Sequence, residues 1–310
     1  MSRRGWILFI AIGLIWGLPY LLIKVAVGEV SPQLLVLMRT GGGAALLLPV
    51  AARRGALRPL LGHWKPIAAY TAAEIAVPWY LLFNAEERLS SSVSALIVAA
   101  VPLVSALLAA ATRSERLGSW RLAGLGVGFG GVAVLVGLDV TNSDLLAALS
   151  LGGVAVGYAV GPWILARHLS ELPNLGVVAS SLALCAIVYA PAAAVSLPGG
   201  RLSASVVASV VSLTVVCTVV GFVVYFALIT EVGAVRATTV TYVNPAVAVL
   251  LGVSVLGEHF GVGTVVGFVL IIGGCLLANR SSRSQRRSSR DGPAGERPDP
   301  RPAVPPVGHP

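Results

Sequence analysis

The chain has 310 residues, of which 56% are hydrophobic and only 11% are charged, and its mean hydropathy is +0.87. Soluble domains carry about 25% charged residues, so this composition excludes an ordinary soluble domain and favours a helical membrane protein. The formal net charge of +9 is typical of basic loops that flank membrane segments, and it does not indicate a nucleic-acid-binding surface.

Ten apolar segments follow one another along the chain, each near the roughly 20 residues that cross about 30 Å of hydrocarbon as a helix. They lie at residues 6–27, 31–51, 66–84, 91–111, 120–138, 145–166, 174–196, 204–229, 236–256 and 261–279. The basic start of the chain also resembles a signal peptide, but the first segment is nearer membrane-span length and has an internal copy. The predicted fold class is therefore all-α integral membrane, with ten transmembrane helices.

The internal copy covers most of the chain. Residues 102–131 recur without a gap as residues 245–274, at an offset of 143, with Pro102, Glu115 and several glycines matched by identical residues. Each half holds an odd number of segments, so the second half is inserted upside down relative to the first. We predict two inverted five-helix repeats, at residues 1–139 and 140–279.

Basic residues are unevenly distributed between the two sides of the predicted bundle. With the N-terminus inside, the cytoplasmic loops hold Arg3, Arg4, Arg53, Arg54, Arg58, Lys65, Arg113, Arg116, Arg121, Arg167 and Arg236. The outer loops hold only Arg88 and Arg201, together with acids such as Glu86 and Glu258. This bias predicts that both termini are cytoplasmic. Only two of the 22 basic residues are lysines, which is typical of a GC-rich bacterial genome, so we expect the protein in a bacterial inner membrane. The segment 280–310, rich in Ser, Arg, Pro and Gly, is expected to be a disordered basic tail.

In these features the chain resembles the EamA-type ten-helix transporters of the drug/metabolite transporter superfamily. The resemblance is carried by Trp16-Gly17 with Lys24, by Arg39, and by the duplicated pattern of a proline, an acid and spaced glycines. The family's Gly-Glu turn is present at Gly257-Glu258 and is Ser114-Glu115 in the first half. The resemblance implies a secondary transporter, often an exporter, that moves small metabolites, amino acids or toxic compounds by alternating access.

Two charged residues lie deep within predicted membrane segments, where a charge costs about 2.5–3.5 kcal/mol on insertion scales. Helical rise places Glu74 about 13 Å and Arg39 about 10 Å from opposite ends of their segments, within reach of each other directly or through water. Neither charge is duplicated, since the matching positions are Cys217 and Ser181. We expect Glu74 to exchange a proton for a cationic or zwitterionic substrate. For Arg39, an ion pair with Glu74 and a role in anion binding stay open.

Aromatic and polar side chains near these charges predict a substrate cavity, with helix packing as the alternative for each. The candidate lining residues, beside Glu74 and Arg39, are Trp16, Tyr20, Tyr70, Trp79, Tyr242 and Asn244. A polar stripe at helical spacing, of which packing explains the threonines more simply, comprises Thr214, Cys217, Thr218, Gly221 and Tyr225. Prolines that free carbonyls and bend helices are predicted as gating hinges, namely Pro19, Pro78, Pro102, Pro162 and Pro245.

The remaining charged residues are predicted to be structural. Lys24 is expected to anchor its helix at the interface, with its ammonium group reaching towards water. Glu115 and Glu258 are expected to favour the N-terminal dipole of the helix that follows each of them.

The cysteines and histidines indicate neither a disulfide framework nor a metal site, and we predict no cofactor. The expected partners are a small-molecule substrate, protons and the lipid bilayer, with no nucleic acid, and the protein is expected to be a monomer or a homodimer. The sequence has no nucleotide-binding P-loop, so it predicts no ATP site. The predicted cytoplasmic loops hold arginines but no cluster of acids or histidines for metal or phosphoryl chemistry, so we predict no enzymatic activity. A membrane-embedded lipid-modifying enzyme, or a channel or sensor, stays as the alternative.

Overall fold

A computed structural model describes residues 1–112, 118–259 and 261–288, with only the backbone described at 142, 234–235 and 279–288. The described residues form helices joined by turns and short loops, and they form no strand. Nine of the described helices are long and apolar enough to cross a membrane, and a further apolar helix spans Val262–Ala278. The predicted all-α membrane fold is therefore confirmed.

We number the helices in chain order. They are α1 (Arg3–Ala26), α2 (Pro32–Arg53), α3 (Arg58–Glu86), α4 (Ser91–Ala111), α5 (Ser119–Asp139), α6 (Leu145–His168), α7 (Asn174–Ala194), α8 (Ala204–Val232), α9 (Thr238–Leu256) and α10 (Val262–Ser288).

Contacts between helices show that the two halves have opposite directions. In α6, Gly153 faces Leu81 and Gly161 faces Glu74, so α6 runs antiparallel to α3. The helices α1 and α3 end together, where Lys24, near the end of α1, donates to the carbonyl of Glu86, the last residue of α3. The first helices of the two halves, α1 and α6, therefore point in opposite directions, as an inverted repeat requires. We call this common end of α1 and α3 the Lys24 end of the bundle.

The third helix of each half contains a π-helical segment. In α3 it covers Thr71–Ala76, and in α8 it covers Leu213–Val220. The wider turn is visible in the side-chain bonding of α8, where Thr218 Oγ1 donates to the carbonyl of Leu213, five residues earlier. Such segments are rare and occur often at functional sites, because they turn side chains and carbonyls away from regular positions.

The predicted hinge prolines occupy three different settings. Pro102 and Pro245 lie in the first turn of a helical segment that restarts after a break, at Val101–Ala111 and Asn244–Leu256. The missing N–H of a proline is tolerated there because that position has no helical partner. Pro78 follows directly after the π-helical segment of α3. Helices α1 and α6 continue through Pro19 and Pro162, and the hinge role of all five residues stays a prediction.

The C-terminal segment starts differently from the sequence-based expectation. The expected disorder does not begin at residue 280, because α10 continues as helix through Ser288. Extending a helix that already exists adds one hydrogen bond per residue without a new nucleation cost, so a polar sequence can follow an apolar span. Glu115, with residues 113–117, and the tail 289–310 lie outside the described residues.

The fifth helices of the two halves, α5 and α10, pack along glycines. A Cβ at Gly124, Gly128 or Gly131 would overlap atoms of a neighbouring helix, and Gly274 lies directly against the backbone of Gly128. Small residues allow such close approach of membrane helices and replace the hydrophobic driving force that is missing in lipid.

Candidate functional site

Arg39 is buried in the middle of α2 and makes two contacts, one with each half. Its guanidinium carbon lies 3.7 Å from the ring centroid of Trp79 in α3, and its Nε donates to Thr218 Oγ1 in α8 at 2.9 Å. Stacking of a desolvated guanidinium on a tryptophan is worth up to about 2 kcal/mol. A guanidinium has five N–H donors, and Nε–H is the one that these contacts use. The terminal amino groups therefore remain to bind an acceptor.

Glu74 lies in the π-helical segment of α3 and turns towards α6. Among the described residues its buried Oε2 has no hydrogen-bond partner, and it lies against Gly161, where a Cβ would overlap the carboxylate. The side chain as a whole is half-buried, although it lies deep within the bundle. Among the described residues, no carboxylate oxygen of Glu74 lies within 4.0 Å of a guanidinium nitrogen of Arg39, so the two side chains form no ion pair.

The depth of the two residues along their helices allowed a direct ion pair between Glu74 and Arg39, and the structure contradicts that alternative. The physical reason is direction around the helix axes rather than depth. Arg39 is turned onto Trp79 and the π-helical segment of α8, whereas Glu74 is directed at the glycine surface of α6. The two opposite charges consequently face the site separately.

Three tyrosines surround Glu74 closely enough to interact with it electrostatically. Tyr70 comes from α3 itself, Tyr158 from α6 and Tyr225 from α8. Tyr158 is also in electrostatic range of Arg39. Tyr158 and Tyr225 were absent from the predicted site. Tyr225 was visible in the polar stripe of α8, and the spacing of Tyr158 three residues before Gly161 was the available signal in α6.

The tryptophan of α1 forms an aromatic wall with α8. The ring centroids of Trp16 and Tyr225 are 4.6 Å apart, and Phe222 packs edge-on against Trp16 at 6.1 Å. Gly221 provides the room for this arrangement, because a Cβ there would lie 2.8 Å from Trp16 Nε1. One turn further along α1, Tyr20 is buried within electrostatic range of Arg39 and of Tyr158.

The structure therefore brings six of the eight predicted lining residues together around one region. They are Glu74, Arg39, Trp16, Tyr20, Tyr70 and Trp79. The remaining two lie at the start of the regular part of α9. Asn244 borders Gly17 of α1 and has a buried Oδ1 without a partner among the described residues, and Tyr242 is half-buried against the main apolar core.

Lys24 and Glu86 differ from their predicted roles. The ammonium of Lys24 donates to the carbonyls of Glu86 and Leu89 at 2.6 and 2.8 Å, so it caps α3 instead of reaching towards water. Glu86, placed by sequence in an outer loop, is fully buried. The turn after α3, in which the N–H groups of Arg88 and Leu89 bond the carbonyl of Ala85, places both carbonyls within reach of Lys24.

Glu258 does bond a helix N-terminus, but not that of the helix that follows it. Its carboxylate accepts from the backbone N–H groups of Ser91 and Ser92, at 2.7 and 3.0 Å, and from the Ser92 hydroxyl. These groups begin α4, in the other half of the chain. The left-handed Gly257 ends α9 and turns Glu258 towards α4, which the sequence alone does not reveal.

Comparison with known proteins agrees with this architecture. The EamA-like transporter family matches the chain twice, over residues 3–137 and 145–280. The chain is similar to an uncharacterised inner membrane transporter, YedA, of Escherichia coli K12, with 30% identity over 80% of this chain and 81% of the relative. It is also similar to an uncharacterised transporter, YvbV, of Bacillus subtilis, with 23% identity over 89% and 92% of the two chains.

A solved crystal structure superimposes on this fold with a TM-score of 0.66. It shares 22% sequence identity with the chain and covers 92% of this chain and 99% of its own. At this identity the likeness concerns the fold alone.

Proposed function

The chain belongs to the EamA-like transporter family, and on this premise we propose that it exports a zwitterionic or cationic small molecule in exchange for protons. Family membership makes it a membrane transporter with a small-molecule substrate. The substrate class, the direction and the coupling ion are our proposal, and they rest on the separation of Arg39 from Glu74.

A guanidinium and a carboxyl that do not pair with each other are costly to bury within a membrane bundle unless a ligand bonds both of them. Arg39 is already fixed by Trp79 and Thr218, and its free N–H donors match the geometry of a carboxylate. Glu74, among three tyrosines, offers acceptor oxygens to an ammonium group. A ligand that carries both groups would satisfy both residues at once.

Proton exchange follows from the setting of Glu74. A carboxylate whose Oε2 has no hydrogen-bond partner among the described residues is unfavourable in a buried site, so the empty site holds the neutral carboxyl. An arriving ammonium stabilises the carboxylate, and the proton is released. The carboxyl must regain a proton before the substrate leaves, so each cycle exchanges substrate for protons.

The change of access is proposed to use the helix irregularities that both halves share. The π-helical segments of α3 and α8 lie beside the site, and the breaks before Pro102 and Pro245 interrupt α4 and α9. Paired irregularities allow one half to bend while the other stays closed. We place the protein in a bacterial inner membrane with both termini cytoplasmic, so that export runs towards the Lys24 end.

Reconstitution of the purified protein into liposomes tests this function. Zwitterionic, cationic and anionic compounds of similar size are compared as drivers of counterflow, with a pH-sensitive dye inside the liposomes. We expect zwitterions to be carried best and to release protons. Glu74→Gln should abolish substrate-linked proton flux, while Glu171→Gln, at an exposed carboxyl, should behave like wild type. Preference for anions, or unchanged proton flux in the Glu74→Gln variant, would refute the proposal.

A further inference from the structure

Glu258 bonds the two halves of the chain to each other at the Lys24 end of the bundle. Its carboxylate accepts from the backbone N–H groups of Ser91 and Ser92, at 2.7 and 3.0 Å. Glu258 follows α9 in the second half, whereas the two serines begin α4 in the first. The first N–H groups of a helix have no partner within that helix, and a carboxylate beside them also interacts favourably with the helix dipole. One residue of the second half therefore completes a helix of the first.

The end of α9 fixes Glu258 in this position. Gly257 has a left-handed conformation, with a φ of 66°, and the N–H of Glu258 donates to the Gly252 carbonyl at 3.1 Å. A Cβ at Gly252 would overlap the Glu258 carboxylate and the hydroxyls of Ser91 and Ser92. Both glycines are thus required by the contact, one for the turn and one for the space in which the carboxylate lies.

This contact is linked to the exclusion of water from the Lys24 end. Ser91 and Ser92 are buried, so their N–H groups would be left without an acceptor if Glu258 moved away while the end stayed closed. A buried N–H without an acceptor is costly, whereas an N–H that bonds water is not. The bond between Glu258 and α4 can therefore break at low cost only when water enters between the halves.

The opposite end of the bundle is joined less closely. A cleft of about 380 Å³ lies there between α2 of the first half and α7 and α8 of the second, with Arg54, Pro173 and Thr230 among its lining residues. A hydrogen bond from Ser2 to Glu231 also connects the halves at that end, but it is exposed. Because an exposed bond exchanges readily with water, it resists separation of the halves less than the contact of Glu258 does.

We propose that Glu258 is a gate residue, whose bond to the start of α4 keeps the central site closed at the Lys24 end. A site between two halves becomes accessible from one side when the contacts between the halves on that side separate. Glu258 acts through α4 and α9 and does not touch the substrate, so it is a positioning residue. The role rests on the alternating access proposed above and not on proton exchange at Glu74.

The native Cys217 can report access to the central site, because it is buried in the π-helical segment of α8 directly before Thr218. The other two cysteines are removed by Cys185→Ala and Cys275→Ala. A membrane-impermeant thiol reagent is then added to vesicles from the side of the Lys24 end, and the labelling rate of Cys217 is measured. A separate variant whose only cysteine is the exposed Glu87→Cys identifies that side.

Glu258→Gln should raise this labelling rate about tenfold, as expected for the loss of one charge-assisted hydrogen bond. Glutamine keeps the shape of the side chain, but its amide nitrogen is a donor and would face the N–H of Ser91 or Ser92. Ser92→Ala removes only the hydroxyl that bonds Glu258 and should have a smaller effect in the same direction.

The matched control is Asp139→Asn. Asp139 ends α5 at the same end of the bundle, and it too bonds the other half, by accepting from the Thr264 hydroxyl near the start of α10. This bond lies within the glycine-packed pair of α5 and α10 and away from α4. Asp139→Asn should therefore lower the melting temperature and leave the labelling rate of Cys217 unchanged.

The outcomes distinguish a gate residue from one that only stabilises the fold. A lower melting temperature of Glu258→Gln with wild-type labelling of Cys217 would overturn the proposal, and so would equal acceleration in Asp139→Asn. If Glu258→Gln does not fold, Gly252→Ala displaces the same carboxylate and should also accelerate labelling, and its failure to do so would count against the gate. Faster labelling in a protein without substrate-linked proton flux would refute the coupling at Glu74 and support the gate.

Discussion

The π-helical segments of α3 and α8 occupy matching places in the two halves, yet they carry different chemistry. Thr71 in the first matches Thr214 in the second, whereas Glu74 matches Cys217. The shared feature is therefore the wide helical turn, and the charge is peculiar to the first half. The wide helical turn is present on both sides of the bundle, and the acid is present on only one.

The second segment is not passive, because it supports the charge of the first half. Thr218 accepts from Arg39 Nε, and Cys217 is in electrostatic range of the same guanidinium. A single site is thus built from unequal contributions, with both charges from the first half and a neutral hydrogen-bond partner from the second. The functional asymmetry lies in side chains, and the mechanical symmetry lies in the backbone.

Moving the carboxyl from one half to the other should have the largest effect on transport. Glu74→Cys removes the proton carrier, and we expect substrate-linked proton flux to fall to that of empty liposomes. Adding Cys217→Glu should not restore it, because the new carboxylate would face Arg39 and form an ion pair that occupies both charges. Flux measured for the two single variants and the double variant tests this. Full recovery in the double variant would mean that the halves are interchangeable.

The sequence was sufficient to predict much of this site, for a clear physical reason. A charge within an apolar segment is costly wherever the helix packs, so Glu74 and Arg39 were identifiable from composition alone. Their contacts with the second half were not, because Thr218 reaches Arg39 and Gly161 reaches Glu74 only through the rotation and crossing of helices far apart in the chain. Depth along a helix could be calculated, but direction around its axis could not.

The same distinction between depth and direction explains why the contacts at the Lys24 end were not predicted. Lys24 and Glu86 were both placed correctly near a helix end, and both were assigned to water. Their burial depends on the fold of the short loop after α3 and on the approach of α4 and α9. Such contacts leave no periodic signal in a sequence, since each involves one or two residues from separate helices.

Transport should depend on the guanidinium group of Arg39 itself and not only on a positive charge at this position. We expect Arg39→Lys to lose zwitterion counterflow nearly as completely as Arg39→Ala, because a lysine cannot stack on Trp79 and bond Thr218 while presenting a planar fork. Thermal unfolding in detergent should show a loss of about 0.5–2 kcal/mol from the missing stacking. Normal counterflow in Arg39→Lys would indicate that a positive charge is sufficient at this position, and normal counterflow in Arg39→Ala would indicate that Arg39 is structural only.

Gly161 lies on the surface of α6 that packs against α3, and it can be compared with the matching position of the other half. The matching position in α1 is Leu18, where the partner segment carries the smaller Cys217. A Cβ at Gly161 would overlap the Glu74 carboxylate, so Gly161→Ala should destabilise the protein by about 1–3 kcal/mol through overpacking. It should also slow proton-coupled transport by displacing Glu74.

Gly152 on the same helix provides the control for this substitution, because a Cβ there meets no atom within 4 Å. Gly152→Ala should be neutral or stabilise the protein by up to about 1 kcal/mol, since alanine favours helix more than glycine does. Thermal unfolding of the two variants measures the difference. Equal stability of both would show that Glu74 does not depend on the space at Gly161.

The smallest effect is expected at the rim of the Lys24 end, where Glu29 bonds the backbone N–H of Ser203 at the start of α8, at 2.8 Å. Hydrogen bonds from the Ser203 hydroxyl and backbone lower the pKa of the Glu29 carboxyl from its usual value of 4.5. Since the folded-state pKa is the lower one, the contribution to stability is complete above about pH 4.5 and is lost as the pH falls through the folded value.

A comparison of wild type with Glu29→Gln tests this bond. Their melting temperatures should differ slightly at neutral pH and converge in acid, because the protonated carboxyl and the amide are then equivalent neutral groups. The exposed pair of Arg4 and Glu231, 3.9 Å apart at the opposite end, serves as the reference. Surface pairs of this kind contribute about 0–1 kcal/mol, so Glu231→Gln should change the melting temperature little. A larger acid-dependent loss at Glu231 than at Glu29 would mean that the Arg4–Glu231 pair contributes more to stability than the bond between Glu29 and Ser203.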